Sequence, residues 1–396
     1  MIIRGHKLPQ QNNLNKFYKA IGEVKEVPTS SAYSQARQKL KGEVFLYLND
    51  LVNEEFYGTC AEDEQVKRWE GRRLIGVDGT YLNVPDTAQT RQRYSLQRNQ
   101  HEGGDRVQAL GTVAYDLLNN VGLSAVVDRK RAEKEFLFES HIHRTEEGDI
   151  LVLDRLNADY GVMAFLIKTG RDFVIRFPRG GFKPVREFWD SEERDQVVRL
   201  KVNLNHKRKG FVTEQGLDEE IGVRLIKVEL DNGEVEVLGT SLVDGDSYKA
   251  EQFKEIYNRR WAVETYFDRI KNIFEVERFS GQSVVSIEQD FYGVIFLSTL
   301  QSILSKEAEQ ELKEQSHKPG QYMQQVNQSV GYSAMLDYVI ELLVDKDKNV
   351  EQTLEELHHL FKTNPIVRRD GRKFPRKKAS STQKLWFYRY TKRIIA

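Results

Sequence analysis

The chain has 396 residues, with 60 lysine and arginine against 60 aspartate and glutamate. Net charge therefore makes no case for a nucleic-acid partner, and the length asks for two or three units around a sizeable core. A single cysteine, Cys60, excludes an internal disulfide and a cysteine-based zinc centre; with no signal-peptide pattern at the N-terminus, a reducing cytoplasm is the expected compartment.

In chain order, residues 29–57 open on TSSAYSQARQKL and continue with Leu40, Val44, Leu48, Leu51 and Val52 at helical spacing, which predicts one amphipathic helix behind a Ser/Thr-rich cap. RRLIGVDGTYLNV then gives an apolar strand carrying Asp78 and Gly79. Arg106 to Val127 reads as two strands joined around Asn119 and Asn120, residues that tolerate tight turns, so a three-strand meander is expected. RKRAEKEFLFESHIHRTEEG has helical composition, DILVLDR is a short strand ending in Asp154, NADYGVMAFLIKTG is helical and RDFVIRFP is a strand. That order is best served by a mixed sheet with flanking helices. From Gly180 to Tyr248 glycine-punctuated β segments predict a β-rich insertion, and helical pattern returns at Lys249. The apolar run Phe291 to Leu304 is shorter than the ~20 residues of a membrane span and reads as a buried helix.

Charge is unevenly spread. From Ile366 to Ala396 there are eleven basic residues and one acid, with Trp386, Phe387, Tyr388 and Tyr390 among them. Such a mixture suits a phosphate backbone with stacking on bases, and equally a solvated basic terminus with an aromatic anchor.

Two aspartates at the ends of apolar strands need a compensating charge, because burying a carboxylate costs free energy. Hard divalent cations take oxygen ligands, and two ions can clamp the attacking and leaving oxygens of an in-line displacement at phosphorus, which requires a third carboxylate. In YNRRWAVETYFDRIK, steps of three, four and seven residues separate Tyr257, Arg260, Glu264 and Lys271. At about 3.6 residues per turn that spacing sets all four on one face of a single helix. Ordinary ion pairing explains Arg260 with Glu264 but not the matching phase of Tyr257 and Lys271.

This pattern resembles the YREK signature of the insertion-sequence-four class of DDE transposases. VDGTYLNV resembles the family's first-aspartate strand, LVLDRLNADY its second, and TSSAYSQARQKL the segment ahead of its catalytic core. The resemblance covers roughly residues 29–305. It implies an α/β, ribonuclease-H-like core with a β-rich insertion before the glutamate helix. The corresponding parts are a helical DNA-binding region at 1–70, core at 71–179, insertion at 180–248, core with the YREK helix at 249–305, and a helical C-terminal region with a basic tail at 306–396. It implies Asp78, Asp154 and Glu264 as catalytic metal ligands for Mg²⁺ or Mn²⁺, two ions in all. Tyr257, Arg260, Trp261 and Lys271 become contacts to DNA. The partners implied are double-stranded DNA, as transposon ends and as target, and a second copy of the chain on paired ends. No membrane or nucleotide cofactor is expected, and the compartment is the bacterial cytoplasm with its nucleoid. Where some relatives carry a further lysine four residues after the glutamate, this chain has Asp268.

Other features rank lower. His141 and His143 are expected to be surface residues, HEGGDR is too small for a phosphate loop, and Trp189 fits a base-stacking wedge or a β-sheet core role. A non-catalytic end-binding protein and a metal-dependent nuclease on the same fold are the alternative readings.

Overall fold

The computed structural model describes Ile2 and residues 9–59, 66–97, 105–202, 206–316, 322–343 and 349–368. Cys60, most of the His101–Arg106 segment, and the basic tail past Arg368 with its aromatic residues lie outside the described residues. The chain divides into two compact units, one spanning Leu48–Arg269 and the other combining Met1–Tyr47 with Ile270–Ala396.

Helices α1 (Gln10–Ala20) and α2 (Ser30–Gln38) come first, α2 being capped by Thr29, whose hydroxyl accepts the Ala32 N–H at 3.2 Å. The single helix expected over 29–57 is in fact two, since α3 runs from Glu43 to Thr59 after a break at Lys39–Gly42. Close approach explains the break: a Cβ at Gly42 would stand 3.0 Å from the Cβ of Glu288, and a glycine that admits this neighbour is a poor helix-interior residue.

The Leu48–Arg269 unit then runs β1 (Leu74–Asn83), α4 (Ala88–Arg93), β2 (Ser95–Gln97), β3 (Arg106–Asp116), β4 (Val121–Asp128), α5 (Glu133–Glu139), β5 (Ile150–Leu153), α6 (Tyr160–Lys168) and β6 (Asp172–Phe177). It continues with α7 (Lys183–Asp190), β7 (Asp195–Lys201), α8 (His206–Glu214), β8 (Glu220–Glu229), β9 (Val235–Thr240), α9 (Ala250–Asn258) and the greater part of α10 (Trp261–Asn272). The expected meander is β1, β3 and β4, all antiparallel, with Asn120 at φ 60° in the β3–β4 turn. Strands β5 and β6 then add in parallel on the other side of β1. The order β4-β3-β1-β5-β6 is the ribonuclease-H-like mixed sheet, and all four residues of β5 are buried, as suits a parallel strand covered on both faces. Strands β9, β8 and β7 continue this same sheet outward from β6, with α7 and α8 among them, so the stretch 180–248 is mixed rather than purely β.

An ionic clamp fixes the sheet where β1, β5 and β6 begin. Arg73 Nε and Nη2 donate to the Asp149 carboxylate at 2.8 and 2.6 Å, both side chains being under 5% exposed, and Arg72 pairs with Asp172. The backbone repeats the connection, with the Ile150 N–H on the Arg73 carbonyl and the Asp172 N–H on the Asp149 carbonyl. This sets Leu74 beside Ile150 and Ile150 beside Asp172.

His141 corrects the surface assignment, while His143 is exposed as expected. His141 is fully buried, with Nδ1 2.7 Å from Ser124 Oγ on β4 and Nε2 3.0 Å from Thr112 Oγ1 on β3. Both ring nitrogens thus find hydroxyl partners, and burial pushes its pKa down to about 3.

In the other unit α11 (Val284–Leu304) is the buried helix expected from the Phe291–Leu304 run, and no described helix is long and apolar enough to cross a membrane. It is followed by α12 (Lys306–Gln315), β10 (Met323–Gln325), α13 (Gln328–Leu343), α14 (Val350–Thr363) and β11 (Ile366–Arg368). Arg37, from TSSAYSQARQKL, is buried against α11. It donates to Asp290 at 2.7 Å, to Gln289 and Ser280 at 2.5 Å each, and to the Ser286 carbonyl at 3.3 Å.

Two stability tests follow. Asp149→Ala leaves the buried Arg73 guanidinium only the exposed Glu146 at 3.2 Å and is expected to cost about 3 kcal/mol in urea unfolding. Asp86→Ala, which breaks the exposed Arg91–Asp86 pair, should change little. Equal effects from the two would remove the clamp's importance. His141 has a folded-state pKa below its unfolded value of about 6.5, so the stability it brings is complete above that pH and is lost as pH falls toward 3. Between pH 7 and 5 the wild type should lose about 2 kcal/mol more than His141→Gln does, narrowing the gap between them. A gap independent of pH would mean that His141 titrates in the fold as it does in the unfolded chain, without the shift that burial causes.

Candidate active site

Asp78 lies within β1 and Asp154 directly follows β5. The β1–β5 register pairs Leu74 with Ile150 and Gly76 with Val152, so that Asp78 and Asp154 each lie two residues beyond the last pair. Ligands of open α/β sheets bind at such carboxyl ends of strands. Asp78 is half-buried and accepts the Gly79 N–H at 2.8 Å. Burial raises its pKa most, the charges of Glu264 and Asp154 add to the rise, and the Gly79 N–H and Arg260 oppose it. Asp78 therefore feels both other members of the expected triad.

Glu264 enters from the first turn of α10 and Arg260 donates to it at 2.8 Å. Arg260 is 8% exposed, with its guanidinium carbon 5.2 Å from the Trp261 ring and 5.7 Å from the Tyr257 ring. On the other side Arg176 of β6 approaches Asp154 at 3.6 Å and also pairs with Glu236 of β9. Tyr257 is 6% exposed and its hydroxyl has no hydrogen-bond partner among the described residues; burial raises its pKa, and Arg260, Arg176 and Asp154 all act on it. Trp261 is 46% exposed. Lys271 is half-buried near the end of α10 and belongs to the other compact unit.

The spacing of Tyr257, Arg260, Glu264 and Lys271 suggested one continuous helix, and here the structure differs. Helix α9 ends at Asn258 and α10 begins at Trp261, with Arg259 and Arg260 in a turn between them. The Arg260, Ala262 and Val263 N–H groups bond three residues back, to Tyr257, Arg259 and Arg260. This tighter winding changes the phase of Tyr257 against Glu264 while keeping Arg260 one turn from its carboxylate. Trp189 lies on α7, not on a strand, half-buried with an indole N–H that makes no hydrogen bond.

Sequence reasoning missed Glu133, the first residue of α5. Its pKa is pushed up to about 7 by burial first and then by the charges of Asp78 and Asp154. A Cβ placed on Gly79 would stand 3.1 Å from Glu133 Oε1, so that carboxylate packs against the backbone beside Asp78. The signal was present in the helical period: Phe136 and Leu137, three and four residues on, are buried, which turns Glu133 inward.

The group thus holds Asp78, Asp154, Glu264 and Glu133, with Arg260 and Arg176 as its cations. Among the described residues no three histidine, cysteine, aspartate or glutamate side chains converge closely enough to hold an ion as they stand.

The family described as Transposase DDE domain matches residues 69–300. The transposase InsG of insertion sequence element IS4 from Escherichia coli is 22% identical over 353 residues, spanning 87% of this chain and 75% of that protein. A piggyBac transposase, solved by cryo-electron microscopy as a synaptic complex with hairpin DNA, is 8% identical with a TM-score of 0.42, covering 73% of this chain and 57% of its own. The family match takes in β1, β5 with the Asp154 that follows it, and α10, and extends over more than half of the residues; the chain belongs to the DDE transposase family.

Proposed function

We propose that this chain binds the terminal inverted repeats of an insertion sequence, cleaves a phosphodiester there to free a 3′ hydroxyl, and joins that hydroxyl to target DNA. The reading is carried by Asp78 on β1 and Asp154 just after β5, each two residues beyond the last paired residues Gly76 and Val152, with Glu264 within electrostatic reach of Asp78. Their chemistry fits a hard divalent cation. All donors are carboxylate oxygens, and the pKa of Asp78 is raised by burial first, with the charges of Glu264 and Asp154 adding to the rise.

In this proposal Asp78, Asp154 and Glu264 hold Mg²⁺ or Mn²⁺, two ions together. When bound, the ions activate the attacking oxygen and stabilise the departing one. The middle of β1 positions Asp78 and the end of β5 positions Asp154, while α10 brings Glu264 from outside the sheet. Arg260 presents a planar fork that suits a phosphate as well as the carboxylate it now holds, and Tyr257, Trp261 and Lys271 complete the contacts to the DNA end. Two copies acting on paired ends are the proposed assembly, with double-stranded DNA as substrate and target.

Substitution separates chemistry from binding. Asp78→Asn, Asp154→Asn and Glu264→Gln should abolish strand cleavage while end binding, measured by gel shift, stays near wild type, because each removes a ligand charge and few DNA contacts. Wild-type cleavage by Glu264→Gln would rule out this site and leave an end-binding protein or a different nuclease centre. Arg260→Ala and Lys271→Ala should instead weaken DNA binding and shallow its dependence on salt by about one counterion each, whatever the sequence bound. An unchanged salt slope in both would remove them from the DNA interface.

A further inference from the structure

We infer that Glu133 is a fourth carboxylate of the cation-binding site, acting beside Asp78, Asp154 and Glu264. The inference rests on the metal-dependent reading above and adds a residue to it.

Burial of a carboxylate on the inner face of a helix requires compensation. The cations on and beside α5 are directed to other acids. Arg131 pairs with Asp128, Glu135 and Glu139, and Lys134 pairs with Asp159. Among the described residues no cation pairs with Glu133, and the charges that act on it, Asp78 and Asp154, are both negative. A half-buried carboxylate against the Gly79 backbone, within electrostatic reach of two other acids and paired with no cation among the described residues, is a costly arrangement. It becomes favourable when a divalent cation joins the group.

Gly79 supports the same assignment. Its backbone is not in the left-handed region, so conformation does not demand a glycine. Space does: a side chain would begin 3.1 Å from Glu133 Oε1 and 3.1 Å from Thr112 Cγ2. The glycine after Asp78 therefore admits the Glu133 carboxylate to the aspartate's flank. An independent sign that the group is built around a ligand is the Tyr257 hydroxyl, which is more than nine-tenths buried, lacks a hydrogen-bond partner and lies within electrostatic reach of Asp154.

A purely structural Glu133 would act through the start of α5, where an acid favours the helix dipole; Glu135 occupies the same first turn and serves as the control. The test uses the full chain without DNA and reads Mn²⁺ binding by calorimetry, together with the melting temperature of the metal-free protein. Glu133→Gln is expected to weaken Mn²⁺ binding about tenfold or more and to raise the metal-free melting temperature by relieving like-charge repulsion. Glu135→Gln should leave Mn²⁺ affinity unchanged. Gly79→Ala should weaken Mn²⁺ binding in the wild-type background and have little further effect in Glu133→Gln, since both act on one carboxylate. Asp78→Asn separates the two levels of the argument. If Asp78→Asn loses Mn²⁺ while Glu133→Gln binds it as wild type does, Glu133 is not part of the site and the triad stands. If Asp78→Asn also binds as wild type does, the triad itself is misplaced. A lowered metal-free melting temperature with unchanged Mn²⁺ affinity in Glu133→Gln would assign it to helix stability and overturn the proposal.

Discussion

The parallel pairing of β1 with β5 is the constraint on which the site depends. A slip of two residues would keep every side chain on its own face but move Asp154 about 7 Å along Asp78's strand, and a slip of one would turn the aspartates to opposite faces. The register is held where both strands begin, by the buried Arg73–Asp149 pair and the Ile150 N–H on the Arg73 carbonyl. Arg72 with Asp172 extends the same lock to β6. Charges that would be costly alone are paired at one end of these strands, so that charges can be left under-compensated at the other.

That division explains why the two ends differ in character. Around the clamp each buried cation meets a carboxylate in short, paired hydrogen bonds, an arrangement that specifies geometry. At the far end four acids face two arginines, and Asp78 and Glu133 both have raised pKa values because burial and their neighbours disfavour the charged form. Perturbed carboxyl groups gathered at strand ends are a mark of sites that bind or react. Burial and like charge disfavour the ionised acids there, while the clamp, together with fully apolar β5, holds the strands that carry them in register.

Much of this was legible in the sequence because its signals are local. Apolar runs ending in Asp78 and Asp154 need only period and length to be read as strands, and Asn119–Asn120 announces its own turn. The spacing through Tyr257, Arg260 and Glu264 found the right helix region but could not show the tighter turn at Arg259–Arg260, since i→i−3 and i→i−4 hydrogen bonding suit the same residue types. His141 and Glu133 escaped for a common reason. Each is polar within a charged segment, RKRAEKEFLFESHIHRTEEG, where composition points outward. His141 is held inward by Thr112, distant in sequence, and Glu133 by sharing the buried face of its helix with Phe136 and Leu137. The gap at Gly42 is likewise set by Glu288, far along the chain.

The stretch between β6 and α9 was read from its glycines and alternating residues as a separate β-rich element, yet its last strand bears directly on the site. Strand β9 pairs antiparallel with β6, setting Arg176 opposite Leu238, and Glu236 on β9 holds the Arg176 guanidinium. Arg176 in turn approaches Asp154 at 3.6 Å. Glu236 is the less exposed of the two acids at 18%, against 31% for Asp154, so the arginine is anchored on the β9 side and offered to Asp154 on the other. Extending the catalytic sheet by β9, β8 and β7 therefore does more than enlarge its hydrogen-bonded surface. It fixes the cation that balances Asp154, and so couples the charge state of the site to a part of the chain that contributes none of its acids.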